Sequence, residues 1–272
     1  MAGSGDMAQP NDRPWNPLAV DPVASRLSSY AAFQGATTVR PLRPDAPVDR
    51  TLADAHEHIR LQILGEGYPC VGARSAFNRL GYRFGLFPEL ASESAVRAVC
   101  HDLYEFCHEY PVVDDQFITF IAMFRGPVID TEQHFEDLLW RQLQAMHNLD
   151  ASFFAWDRKV DADASSKNFS FSIGGRAMFV VGLHPAASRL ARTVPYPTLV
   201  FNLHEQFERL RERGKFETMK QMIRARDMAF QGSINPVLKN FGESSEARQY
   251  SGRAVPDDWQ CPFHATKPQE KT

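Results

Sequence analysis

The stretch Phe169-Ser170-Phe171-Ser172-Ile173-Gly174-Gly175-Arg176-Ala177-Met178-Phe179-Val180-Val181-Gly182-Leu183 decides the fold class. Apolar and polar residues alternate over 169–173, which predicts a strand with one face buried. Gly174-Gly175 is a hairpin signal, because adjacent glycines supply the positive φ of the tightest turns. Residues 178–183 are then the returning strand, antiparallel to the first.

Working outward, residues 198–201 read as a further strand, and 205–230 as helix interrupted once at Gly214. Over 232–263 the chain is rich in Gly, Pro, Ser and Asn and should be mostly irregular. On the N-terminal side, Leu52, Ala55, Ile59 and Ile63 recur at spacings of three and four. They predict a helix that starts after Asp49 and stops at Gly65 and Gly67. Residues 68–77 and 81–87 read as two strands joined by a turn near 78–81. Residues 92–108 read as helix and 117–124 as a short buried strand. Thr131 opens a helix with Phe135, Leu138, Leu139, Leu143, Met146 and His147 on one broad face. Strands come as hairpins and helices as separate blocks, without βαβ alternation. The expected class is therefore α+β, a single domain with an antiparallel sheet of hairpins flanked by helices. Residues 51–264 would form it. Residues 1–50, with Pro10, Pro14, Pro17, Pro22, Pro41, Pro44 and Pro47, read as a proline-rich arm anchored by Trp15 and Phe33. Residues 265–272 read as a frayed tail.

Composition excludes several function classes. The 272 residues carry 30 Lys+Arg against 33 Asp+Glu, a formal net charge of −3, which argues against a nucleic-acid binder. Nothing approaches the roughly 18 consecutive apolar residues of a membrane span. The N-terminus lacks the basic-then-apolar pattern of a secretory signal, so a soluble cytoplasmic protein is expected. Four cysteines at this length make no disulfide scaffold. The 20 Phe outnumber 7 Tyr and 4 Trp together. Phenylalanine has no polar handle, so this excess points to a large dry interior or a dry pocket. Phosphate-binding glycine loops, the G-x-G-x-x-G and G-x-S-x-G motifs, C-x-x-C and H-E-x-x-H are all absent.

Chemistry must then rest on scattered residues. His56 and His58 diverge on a helix and chelate poorly. Cys100-His101 and Cys107-His108 are two turns apart, and they read as structural or as a metal pair. His147, on the apolar side of its helix, is either a hydrogen-bonded core residue or an axial haem ligand. Cys70 and Cys261 each adjoin a proline and read as buried small hydrophobes or as rigidly projected metal ligands. His184 and His204 stand at strand ends, where site residues concentrate. Arg74, Arg83, Arg176 and Arg189 lie on or beside strands and could pair with carboxylates of a cofactor or substrate.

The motifs together resemble the YqcI/YcgG family. The resemblance lies in Tyr68-Pro69-Cys70-Val71-Gly72-Ala73-Arg74-Ser75-Ala76, in Leu139-Trp140-Arg141-Gln142-Leu143-Gln144-Ala145-Met146-His147-Asn148-Leu149-Asp150, and in Phe171-Ser172-Ile173-Gly174-Gly175. It continues through Phe179-Val180-Val181-Gly182-Leu183-His184-Pro185-Ala186-Ala187-Ser188-Arg189, Gln249-Tyr250-Ser251-Gly252-Arg253 and Trp259-Gln260-Cys261-Pro262-Phe263. It covers roughly residues 52–264.

The resemblance implies haem-dependent N-oxygenation of a guanidino nitrogen, with L-arginine going to Nω-hydroxy-L-arginine, in natural-product biosynthesis of the D-cycloserine type. Haem b would be the cofactor. The Phe excess would give its slot, and the strand arginines would face its propionates. His147 is the first choice of axial ligand, His184 the second, with Cys261 and Cys70 behind. Glu205, Glu208 and Glu246 are candidates to hold the cationic guanidinium. The oxidant would be O₂ with a separate ferredoxin or reductase, or peroxide. The alternative is a haem carrier or sensor without turnover.

Overall fold

A computed structural model describes residues 14–112, 116–235 and 244–266. In chain order its elements are α1 (Pro22–Leu27), β1 (Ala32–Gln34), β2 (Thr37–Val39), α2 (Arg50–Leu64), α3 (Val71–Asn78), β3 (Tyr82–Phe87), α4 (Glu93–Glu109) and β4 (Thr119–Phe124). They continue as α5 (Glu132–Asp150), β5 (Phe171–Ile173), β6 (Arg176–Leu183), β7 (Thr198–Leu203), α6 (His204–Glu212), α7 (Phe216–Gln231) and α8 (Ala247–Tyr250). β1 and β2 form a small hairpin, and the main sheet has the order β3-β4-β7-β6-β5. The fold is α+β.

The β5–β6 hairpin forms as its sequence predicts. Gly174 and Gly175 both take positive φ, 59° and 71°. Its turn is tied down by Asp150, whose Oδ1 accepts the Gly174 N–H and the Tyr104 hydroxyl, each at 2.9 Å. Helices α2, α4 and α5 begin at side-chain caps. Asp49 accepts the Thr51 N–H, Ser92 accepts that of Ala95, and Thr131 accepts that of His134.

Three features depart from the pattern-based expectation. Residues 71–78 form helix α3, not a strand. Cys70 caps it, its Sγ accepting the Ala73 N–H at 3.4 Å, and Gly72, Ala76 and Phe77 give it a buried side. The small residues serve helix packing, since a Cβ on Gly72 would lie 3.1 Å from the Phe117 ring. Second, β3 runs parallel to β4, joined by α4 as the crossover, while the other pairings are antiparallel. One strand–helix–strand unit is thus embedded in an otherwise antiparallel sheet.

Third, the proline-rich arm is not all irregular. Pro22 sits at the start of α1, where a missing N–H costs nothing, and Asp21 caps that helix. Trp15 stacks on His108 at 3.7 Å, Asn16 donates to Glu105 at 2.7 Å, and Phe33 lies 5.0 Å from His56. Ala31 and Phe84 exchange both backbone hydrogen bonds at the β3 edge. Residues 1–13 of the arm and 267–272 of the expected tail lie outside the described residues.

Strand alternation divides the interior into two layers. Phe120, Phe124, Val180 and Phe201 face α4 and α5 in a dry core that includes Phe87, Phe106, Phe135, Phe169 and Phe171. Most fully buried phenylalanines are here. The opposite face carries Tyr82, Phe84, Ile121, Met123 and Leu183 toward α2 and α3.

Two buried histidines each contribute stability that is lost in acid. His56 and His184 are 2% and 1% exposed, and burial pushes both down to about 4. Each takes up a proton near pH 6.5 once unfolded, so the stability it confers is present above 6.5 and lost as pH falls through 4. Asp150, raised to about 6 by burial, acts in the opposite direction. His56→Gln removes one proton while leaving a partner for the Tyr82 hydroxyl, which His56 Nε2 meets at 2.9 Å. The variant should flatten the loss of stability between pH 6.5 and 4 by about 1.4 kcal/mol per pH unit. Denaturant titrations across that range check it, and an unchanged slope removes His56 from the account.

Candidate active site

A cavity of about 300 Å³ opens on the α2/α3 face of the sheet. Register builds its floor. Ile121, Val200 and Val181 stand side by side on β4, β7 and β6, with Thr119, Asn202 and Phe179 in the next row. Ile59 and Ile63 of α2 and Ala76 and Phe77 of α3 form one wall. Phe207 of α6 with Phe216 and Ile223 of α7 forms another. Five phenylalanines, with Phe117, therefore line this space in addition to those in the dry core.

Among the polar groups at the cavity, Arg211, Lys220 and Arg224 are half-buried, while Arg189, Arg192, Asp227 and Glu246 are buried. Arg192 donates to the carbonyls of Gly182, Tyr250 and Gln249 at 3.2, 3.1 and 3.0 Å, and among the described residues it bonds no carboxylate. Burial pushes its guanidinium down only to about 10, so it remains charged at neutral pH. Gly252 makes room for it: with φ +84°, a Cβ there would lie 2.5 Å from Arg192 Nη1. Arg189 pairs with Asp227 at 2.6 Å and donates to Ser233 Oγ and O at 2.7 Å. Cys70 Sγ sits at the N-terminus of α3. Burial raises its thiol, and the amides of Ala73 and Gly72 and the Arg192 charge pull the other way.

Glu246 is the unusual group. It is 5% exposed, it lines the cavity, and its Oε2 has no hydrogen-bond partner among the described residues. Burial pushes its carboxyl up to about 8, against the opposing pull of Arg211 and the Ser170 and Tyr250 hydroxyls. A buried carboxylate oxygen without a donor is costly, and a cationic ligand would remove that cost.

Of the residues singled out from the sequence, the cavity gathers Cys70, Arg189 and Glu246. The others lie elsewhere. His147 is behind the sheet, where its Nε2 accepts the Thr266 N–H at 2.9 Å and its ring packs edge-on against Trp156 and Phe263. His184 stacks on Phe135 at 4.2 Å on the α5 side, its Nδ1 without a hydrogen-bond partner among the described residues. Cys261 packs against that same core, its thiol pushed up to about 12 by burial. Arg74 donates to the Gly65 carbonyl, and Arg83 pairs with Glu109. Arg176 pairs with Glu205 through Nε at 3.0 Å, so those two candidates engage each other. Glu208 bonds His204 Nε2 at 3.0 Å and also Arg211. Sequence reasoning missed Arg192 and Asp227. Arg192 follows the strand-end motif by three residues, but nothing local marks an arginine as buried.

The lining suits a haem. Its walls are apolar and rich in aromatic rings, Arg192 offers an uncompensated positive charge for a carboxylate, and Cys70 offers one sulfur donor. No histidine is among the described lining residues. The α3 N-terminus and the nearby Arg192 pull Cys70 toward a thiolate, but burial outweighs them and the thiol is raised overall.

A family model for the YqcI/YcgG family matches residues 59–264. The chain belongs to the YqcI/YcgG family. Among curated proteins, this member is 26% identical over 162 residues to a Streptomyces lavendulae protein provisionally named an N(omega)-hydroxy-L-arginine synthase, DcsA. The match spans 57% of this chain and 60% of that relative, less than two thirds of its length. No solved structure matches the chain. Among the described residues, no helix of this YqcI/YcgG protein is long and apolar enough to cross a membrane.

Proposed function

We propose that the chain is an N-hydroxylase of guanidino compounds, with L-arginine as the leading substrate and haem b as its cofactor. The observation that carries the reading is Glu246, a buried carboxyl lining the cavity whose Oε2 has no hydrogen-bond partner among the described residues. A guanidinium supplies both the charge and the N–H donors that this oxygen lacks. Arg192 supplies the complementary positive group, toward an amino-acid carboxylate or a haem propionate. The name of the Streptomyces relative supports the same chemistry.

Cys70 is the lining residue that would hold the iron, and the apolar rows of the sheet would cover the ring. When bound, haem supplies the two-electron oxidation that converts a guanidino N–H to N–OH. With O₂ the two electrons come from a separate ferredoxin or reductase; with peroxide none is needed. The protein's part is to hold the guanidinium on Glu246 and to exclude water with the α2, α3 and α7 walls.

Two measurements test this reading. The full chain, supplied with haem, L-arginine and either oxidant system, should yield arginine carrying one added oxygen, detected by mass spectrometry. Haem-loaded protein that gives no such product with any guanidino compound would instead be a carrier. For the ligand, Cys70→Ala should abolish or shift the Soret band, while His147→Ala should leave it unchanged. The reverse pattern would move the iron to the other side of the sheet.

A further inference from the structure

Glu246 is not isolated from solvent electrically. Its Oε1 lies 3.7 Å from Nδ1 of His204, the residue that begins α6. The opposite ring nitrogen, Nε2, meets Glu208 Oε1 at 3.0 Å. The side chains of Glu246 and His204 are 7% and 6% exposed, whereas that of Glu208 is 43% exposed. The three groups thus run from the cavity wall, through a buried imidazole, to the surface.

We propose that Glu246, His204 and Glu208 form a proton path between the cavity and bulk solvent. The geometry of the imidazole is what makes it a conduit. Glu208 takes the Nε2 proton as a hydrogen bond, which leaves the Nδ1 lone pair directed at Glu246. A proton leaving the Glu246 carboxyl is accepted at Nδ1 as the Nε2 proton passes to Glu208 and on to water. A change of tautomer then resets the ring. No electrons move, and one proton enters for each that leaves. At 3.7 Å the two atoms stand just beyond hydrogen-bond distance, so transfer requires them to approach each other by about 0.7 Å.

The groups facing the path suit this direction. Arg211 of α6 pairs with Glu208 and lies near Glu246; Asp157, in the segment before β5, favours a proton on His204. The Ser170 and Tyr250 hydroxyls flank Glu246. Burial holds His204 neutral and Glu246 protonated at neutral pH, the resting state the path requires. The consequence is that a cationic ligand arriving at Glu246 displaces a proton, which leaves through His204. This deepens the reading of Glu246 as the guanidinium anchor and rests on it for the ligand alone.

The test needs no ligand. In infrared spectra of the full chain near pH 6.5, a carboxylic-acid C=O band that disappears in Glu246→Gln reports the Glu246 proton. On transfer to D₂O that band should shift promptly in the wild type. It should shift at least tenfold more slowly in His204→Gln, which can still bond Glu208 but cannot relay a proton. The surface variant Glu208→Gln keeps the core intact and should also slow exchange. A merely loosened structure would exchange faster, so slowing is specific. Equal rates in all three proteins, or no Glu246-dependent band, overturn the path. L-Arginine binding measured in buffers of different ionisation enthalpy is a separate arm. It should release about one proton, and slow exchange without such release would leave the path standing and remove L-arginine as its ligand.

Discussion

On the proposed reading, Glu246→Gln should bind L-arginine roughly thirty- to several-thousand-fold more weakly than the wild type, the range for truncating one partner of a buried, hydrogen-bonded charge pair, about 2–5 kcal/mol. Gln has nearly the same shape, so cavity volume and the packing of α8 are preserved and the charge alone is removed. The loss is large because Glu246 is 5% exposed and its Oε2 has no other donor among the described residues. A guanidinium held there gives up water on both sides, and an amide returns only part of what the carboxylate offers. Affinity also depends on pH with a definite sign. The carboxylate is the binding form and its carboxyl is raised to about 8. Wild-type affinity should therefore fall as pH drops below 8, and Glu246→Gln should lack that slope. Calorimetric titration at several pH values measures both. A dissociation constant within threefold of the wild type would mean that the guanidinium is held elsewhere.

Gly182→Ala should be the most damaging single-methyl change in the sheet. A Cβ at Gly182 would lie 2.4 Å from Phe135 Cε1, 2.9 Å from its Cζ and 3.0 Å from the Tyr250 carbonyl oxygen. The Phe135 ring cannot move away cheaply: it is fully buried on α5 and stacked on His184. β6 is held here as well, because Gly182 is paired with Leu199 of β7 and its carbonyl accepts from Arg192. Overpacking of this kind costs about 1–3 kcal/mol, which for a chain of this size lowers Tm by roughly 2–12 °C. Arg192 should be disturbed as well, since it donates to the Gly182 carbonyl. Gly214→Ala is the control. Gly214 has φ +65° but no atom within 4 Å of its Cβ position, so the cost there is backbone strain alone, about 1 kcal/mol. Thermal melts of both variants decide the matter, and a smaller loss at Gly182 than at Gly214 would overturn the packing argument.

These two residues differ in how far they could be read beforehand. Glu246 was one of three candidate acids for a guanidinium, and the sequence had no means of ranking them. Glu205 turned out to pair with Arg176, and Glu208 sits at the surface on His204. Burial without a donor distinguishes Glu246, and burial depends on which distant segments close over a residue. Gly182 read only as a glycine within a strand. Its reason is a phenylalanine 47 positions away, on a helix packed across the sheet.

The elements show the same division. The β5–β6 hairpin, α2, α4, α5 and the break at Gly214 were legible because their signals are local: alternation, three- and four-residue spacing, a capping side chain, a glycine of positive φ. Residues 71–78 misled because small and bulky residues alternate there as in a strand. Eight residues are too few for periodicity to decide, and the cap that settles the matter is a thiol. The parallel pairing of β3 with β4 was hidden for another reason. A strand's own sequence does not state which neighbour it takes or in which direction, and those are set when α4 packs back on the sheet.

By itself, then, the sequence determined the α+β class, most helix limits and the family motifs, since short-range sterics and hydrogen bonding act within a few residues. It put His147 first of four candidate iron ligands, and it did not choose among three candidate acids. Only the tertiary structure decided that Cys70, Arg192 and Glu246 share one cavity while His147 and His184 lie across the sheet. Desolvation and long-range pairing make that choice, and neither is written in any local stretch of the chain.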